Sequence, residues 1–326
     1  VGLPITIATW DYDRVRPLID GRVRVQGCDC RYLVLPPEEC FRRAYIDREF
    51  EVSEIGLSPF LIALSRGLAD YAALPVFLSR MFRHSSIYKR NDRGIETATD
   101  LVGKRVGIVE YQMSAVLWVR GMLWDDHGIR PDQIQWFQAG LNKPGRKEKF
   151  PLNVPAGFPL TVVDTGQTLS QLLEQGELDA LIVPEPPDCY ATSAGKISRL
   201  YEDFEAEEKR YFARTGIFPI MHALGIRKDI HQAHPWLAAS VYRAFEEAKD
   251  ICLRDLFELA ALKVSLPWVT SQASQMVKIF GSDFWPYGIE KNRKTLEVMT
   301  RYSHEQGLAI TRLDVDSVFV NPLEQA

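Results

Sequence analysis

Residues 100–129, DLVGKRVGIVEYQMSAVLWVRGMLWDDHGI, are the stretch whose reading decides the fold. Asp100 opens a turn, Arg105 to Val109 form a short β-strand, a polar turn follows, and Tyr111-Gln112-Met113-Ser114 precedes a helix rich in buried-type residues. This is a βα unit with its loop at the carboxyl end of the strand. Residues 160–188, LTVVDTGQTLSQLLEQGELDALIVPEPPD, repeat the pattern as strand, turn, short helix, glycine turn and the strand Ala180 to Val183, ending in Glu185-Pro186-Pro187.

Working outward, ITIATW and CRYLVL predict the first strands of another sheet, and Phe41 to Ile46 is helical in pattern. FEVSEIGLSPFLIALSRG predicts a strand, a loop and an apolar helix starting near Ser58-Pro59, and YAALPVFLSRMF is a further β segment. His234-Pro235-Trp236 introduces a long helix with Leu237, Val241, Ala244, Phe245, Ala248 and Cys252 on one face. The Lys- and Arg-rich loop 142–157 and the charge run Glu202 to Arg210 predict solvated segments. Strands alternating with helices imply α/β architecture with mainly parallel sheets, which bind ligands beyond the carboxyl ends of their strands.

The chain has 326 residues, 46% hydrophobic and 25% charged, enough to bury a core larger than one compact domain. Its net charge of −4 argues against nucleic acid, which needs a concentrated basic surface. No apolar run approaches the ~20 residues of a membrane-spanning helix, so the chain reads as soluble. Val1 rather than Met at the start leaves open a trimmed tag or a removed signal peptide. Five cysteines, at 28, 30, 40, 189 and 252, fit reduced thiols in a cytoplasm, and no pair has zinc-site spacing. Neither GxGxxG nor GxxxxGK[ST] occurs, and GxSxG is absent too.

Four polar groups fall at strand carboxyl ends: Trp10-Asp11-Tyr12, Glu54 through Ser58, Tyr111 through Ser114, and Glu185. Arg80, Arg83 and His84 cluster where an apolar β segment turns polar. Arginine offers a planar fork for a carboxylate, and histidine exchanges protons near neutral pH. The bland alternative for that group is a surface salt-bridge cluster. His222 follows the apolar run TGIFPIM and is either a proton-transfer residue or a satisfied core histidine. Ser114 and Ser58 are candidate anion contacts or plain helix caps, with Gln112 beside the former. Trp10, Tyr12 and Tyr111 are candidates for stacking on an aromatic ring or for closing the core.

The two βα units resemble the second lobe of type II periplasmic binding proteins. SRMFRHSSIY, GKRVGIVEYQMSAVLWVRG and TGIFPIMH together resemble the 4,5-dihydroxyphthalate decarboxylase family, and the likeness runs from ITIATWDYDR to the helix after HPWLA. The resemblance implies a two-lobed type II periplasmic-binding-protein-like fold, each lobe a mixed, mainly parallel sheet flanked by helices. Lobe I would comprise residues 1–85 and 222–326, lobe II residues 86–221, with a ligand cleft between them.

The resemblance further implies removal of one carboxylate from a dihydroxylated aromatic diacid, without an organic cofactor. Arg83 would clamp a carboxylate, with Arg80 beside it, while His84 or His222 handles protons and Glu185 orients a hydroxyl or a histidine. Trp10, Asp11, Tyr12, Ser58, Tyr111, Gln112 and Ser114 would line the substrate. His84, His222 and Glu185 could in principle converge on a metal instead. A cytoplasmic enzyme with a small aromatic dicarboxylate as partner, open to homo-oligomer formation, is one expectation. A non-catalytic solute receptor for an importer is the other.

Overall fold

The computed structural model describes residues 2–163 and 166–322, so both ends of the expected lobe I, Val1 and Ala326, lie outside the described residues. Strands β1 (Leu3–Thr9), β2 (Cys28–Val34), β3 (Val52–Gly56), β4 (Tyr71–Arg80) and β11 (Ile220–Arg227) form one sheet, in the order β2-β1-β3-β11-β4. Strands β5 (Ile87–Arg90), β6 (Arg105–Ile108), β7 (Gln135–Gln138), β8 (Leu160–Val162), β9 (Ala180–Ile182) and β10 (Ile197–Arg199) form the other, ordered β10-β5-β9-β6-β7-β8. Both sheets are mixed. β1 pairs in parallel with β2 and β3, whereas β11 runs antiparallel to β3 and β4. In the second sheet β6, β7, β8 and β9 are mutually parallel, β5 runs against them, and β10, antiparallel to β5, shares their direction. The antiparallel members adjoin the two passages between sheets: 81–86 leads from β4 to β5, and 216–219 leads into β11.

Local sequence explains the βα unit at 100–129. A side chain at Gly107 would lie 2.5 Å from Leu181 Cδ2, so the glycine lets β6 pack closely against its neighbours. The helix Ser114–His127 stops at Gly128, whose φ of 68° closes the last turn in the left-handed region. Two expected boundaries shift. The turn before β6 starts at Thr97, and Asp100 completes its capping box three residues later. β3 passes straight into the helix Leu57–Ser65 with no loop between them, because Pro59 in the first turn needs no amide partner.

The helix Ser114–His127 ties the two sheets together. It packs against the helices Leu57–Ser65 and Arg293–Glu305 and against β11. Trp118 Nε1 donates to Ile220 O at 2.9 Å, and Gly121 makes room for the Tyr302 ring. Buried Arg120 donates to Gln306 Oε1 at 2.7 Å and stacks over Tyr111 at 3.6 Å. One hydrophobic core therefore runs through both sheets, and a smaller cluster covers the far side of the second. The helix Leu237–Asp255 buries Leu237, Val241, Ala244, Phe245, Ala248 and Cys252. Among the described residues no helix is long and apolar enough to cross a membrane.

Candidate active site

The ends of β3, β6 and β9 open on one cavity of about 290 Å³ between the sheets, with β11 contributing Met221 and His222. β11 shifts register against β4 on both sides of His222, the irregularity by which a strand re-aims a side chain. Against β3, His222 stands opposite Gly56 and Leu224 opposite Glu54, so His222 and Glu54 are diagonal neighbours.

Glu54 is fully buried and accepts from His222 Nδ1 at 2.7 Å, from the Tyr12 hydroxyl at 2.7 Å and from Trp10 N at 2.9 Å. Burial by itself raises a carboxyl, but the His222 hydrogen bond and charge, with the Tyr12 and Trp10 donors, hold Glu54 below its usual range. An ionised Glu54 requires the proton on Nδ1 and leaves Nε2 as the nitrogen available to a molecule in the cavity. The Phe41 ring meets the imidazole edge-on at 4.7 Å and limits its rotation.

Arg83 reaches the same cavity from the first passage between sheets. It donates to Pro184 O at 3.3 Å, and its Nε is buried without a hydrogen-bond partner among the described residues. Burial pulls the guanidinium down to about 10, which leaves it a cation at neutral pH.

The loop 142–157 corrects an expectation. Lys143 and Lys147 are exposed as expected, but Arg146, Glu148 and Lys149 fold back over the cavity. Lys149 lies 2.9 Å from Glu110 and 3.3 Å from Glu38, and Arg146 contacts Glu110 at 2.5 Å and also Glu38. Glu148 accepts from Tyr111 N at 2.5 Å, from Gln112 N at 3.3 Å and from the Gln112 side chain. Burial, reinforced by Glu110, pushes Glu148 up to about 7. An adjoining chamber of about 460 Å³ is bounded by this loop and shares Glu38, Met113, Pro184 and Glu185 with the first.

Of the residues singled out in the sequence, Arg83, Ser114, Glu185 and His222 line the cavity. Ser114 is the first helical residue rather than a cap, and its Oγ accepts from Ser58 N at 3.1 Å across the junction of two helix starts. Ser58 is fully buried between Gly56 and Pro59, its Oγ without a partner among the described residues. Tyr12 stands behind the histidine, linked to it through Glu54. Trp10 contributes its backbone amide to Glu54, while Asp11 pairs with Arg16 on the surface.

The remaining candidates stand elsewhere. Arg80 is buried beneath the first sheet, where it donates to Phe218 O, Pro286 O and Asn292. Tyr111 packs edge-on against Trp136 and Phe158, and Gln112 holds the loop through Glu148. His84 sits in a separate small pocket with Asp126, His127 and Tyr201, so His84, His222 and Glu185 do not gather around one point. Glu208 corrects the view of the 202–210 run as wholly solvated. Its side chain is 15% exposed and 4.0 Å from His84 Nδ1, and burial pushes it up to about 7.

Glu38, Glu110, Arg146 and Lys149 were missed in the sequence. Glu110 had a usable signal, because it is a charged residue two positions beyond the carboxyl end of β6.

The chain is 39% identical over 317 residues to a 4,5-dihydroxyphthalate decarboxylase of Comamonas testosteroni, covering 97% of this chain and 96% of the relative. It is 44% identical over 201 residues to a 4,5-dihydroxyphthalate decarboxylase of Pseudomonas putida, covering 62% of this chain and 78% of that one. Among solved structures, the periplasmic aliphatic sulphonate binding protein of Escherichia coli aligns with a TM-score of 0.56 at 13% identity, over 98% of both chains. That likeness shows the periplasmic-binding-protein fold. No family model matches the chain.

Proposed function

The chain belongs to the 4,5-dihydroxyphthalate decarboxylase family, and from that premise we propose that it is a carboxy-lyase converting 4,5-dihydroxyphthalate, or a close analogue, to the catechol monoacid and carbon dioxide. The observation that carries the assignment of roles is the Glu54–His222 pair opening on a cavity that Arg83 and Lys149 also reach.

The hydroxyl para to the departing carboxylate pushes electrons through the ring onto the carbon that bears it. His222 Nε2–H gives that carbon a proton. The bond to the carboxylate then breaks, its electron pair restores the aromatic ring, and carbon dioxide leaves, so one proton replaces one carboxylate. Glu54 keeps the imidazole oriented with Nδ1 protonated throughout. Arg83 holds a carboxylate, and Glu185 at the rim orients a ring hydroxyl. The separate pocket of His84 supports giving the proton to His222.

Residues 1–85 with 222–326 are the proposed first lobe and 86–221 the second. A cytoplasmic address belongs to the same reading, supported by five free thiols.

Incubation of the purified chain with 4,5-dihydroxyphthalate in heavy water tests the proposal. The expected result is stoichiometric carbon dioxide and 3,4-dihydroxybenzoate with one deuterium at the vacated carbon, identified by mass spectrometry. Tight binding of the diacid without turnover would overturn the enzyme in favour of a solute receptor.

A further inference from the structure

Charge at the mouth of the cavity is already balanced, which sits awkwardly with a doubly negative substrate. Arg146 and Lys149 each contact both Glu38 and Glu110. Two cations facing two carboxylates leave no surplus positive charge for an incoming carboxylate. Resting on the decarboxylase reading, we propose that Glu38 is a specificity-determining residue that stands in for the carboxylate the substrate retains. On binding, Arg146 and Lys149 pass from Glu38 to the substrate.

The two glutamates are not equivalent. The Glu110 side chain is 1% exposed, whereas Glu38 is 44% exposed. Glu110 follows β6 of the second sheet, and Glu38 lies in the helix Pro37–Arg42, which packs against β3 of the first. Glu148 fastens the loop to Tyr111 and Gln112, beside Glu110. The loop therefore stays with Glu110, and its contact with Glu38 is the one that crosses the cavity.

Access by wide separation of the sheets is opposed by the helix Ser114–His127. Separation would strip Trp118 from Ile220 and Arg120 from Gln306, both buried hydrogen bonds. Exchange at the loop needs neither. Once Glu38 turns outward to solvent, Glu110 neutralises one cation and the other is free for a carboxylate. A diacid can fill this position while its second carboxylate lies toward His222. A ligand with a single carboxylate can fill only one of the two, which makes the exchange selective for diacids.

Phthalate, which has both carboxylates and no hydroxyl to drive turnover, is the probe. Calorimetry on Glu38→Gln is expected to show phthalate bound about fivefold more tightly than by the wild type, because the internal competitor is gone. The KM for 4,5-dihydroxyphthalate falls in step, and kcat changes by less than about twofold. Adding Lys149→Met abolishes the gain, as a coupled pair requires. Glu185→Gln removes the same charge from the cavity rim without breaking these ion pairs, and tightens phthalate by clearly less. Unchanged or weaker binding by Glu38→Gln, or equal tightening by Glu185→Gln, would sink the exchange. The phthalate measurement reads the exchange whether or not the protein turns over, so absence of carbon dioxide from the wild type counts against the decarboxylase alone.

Discussion

Glu54 Oε1 lies 2.7 Å from His222 Nδ1 although 168 positions separate them in the chain. The contact exists because β11 returns from the second sheet to lie beside β3. Orientation by Glu54 predicts that Glu54→Gln lowers kcat by about a hundredfold and changes KM by less than about threefold, since in the proposed mechanism the substrate touches His222 rather than the carboxylate. His222→Gln lowers kcat at least as far, and the double variant is no worse than His222→Gln alone. Steady-state kinetics decide it, and a Glu54→Gln variant with more than half of wild-type kcat removes the dyad from the mechanism.

Arg83 predicts a binding defect. Lysine at this position keeps the charge but loses the planar fork, so Arg83→Lys raises KM for the diacid by about tenfold, or about 1.4 kcal/mol, with the smaller effect on kcat. A fall in kcat at constant KM would show that Arg83 acts on the transition state instead.

Arg80 predicts the opposite pattern. Its guanidinium serves Pro286 O at 2.7 Å, Phe218 O at 3.3 Å and Asn292, away from the cavity. Arg80→Ala therefore destabilises the fold by about 3 kcal/mol, since buried acceptors lose a charged donor. kcat and KM measured well below the lowered melting temperature stay within about twofold of wild type. A selective rise in KM would place Arg80 in substrate binding after all.

His84 predicts a pH dependence of stability. Burial lowers it from 6.5 to about 4, so between those values the unfolded chain takes a proton that the folded one refuses. Its contribution is intact above 6.5 and is lost as pH falls through the folded value, amounting to about 3 kcal/mol at most. Glu208, raised to about 7, works the other way: its folded state holds a proton from 4.5 to 7, and that contribution is lost as pH rises through the window. Denaturant titrations from pH 4 to 7 should show the wild type losing stability relative to His84→Gln as pH falls. Parallel curves would mean that His84 is protonated in the fold.

Much of the site was legible one strand at a time. Arg83 stands in a passage between sheets, Glu185 just beyond β9, Ser114 at a helix start and His222 near the start of β11, and polarity at such places is visible in the sequence. Glu54 was visible as a polar residue in an apolar strand, but its partner was not, because nothing near residue 54 points to β11. The loop 142–157 misled for a different reason. Alternating Lys, Arg and Glu signal solvent unless countercharges stand nearby, and those countercharges, Glu38 and Glu110, come from distant parts of the chain. Arg80 and Arg83 look alike in sequence, yet one meets backbone carbonyls under a sheet and the other a cavity.

By itself the sequence determined the α/β class, the βα units and the polar strand ends, because hydrophobic period, caps and glycine turns act over a few residues. Only the tertiary structure decided which polar ends share a cavity, that Glu54 meets His222, and that Glu38 and Glu110 pair with the loop's Arg146 and Lys149. Those relations depend on strand order and on packing between distant segments, and both the distance between two side chains and the burial that shifts their protonation are set by the whole fold.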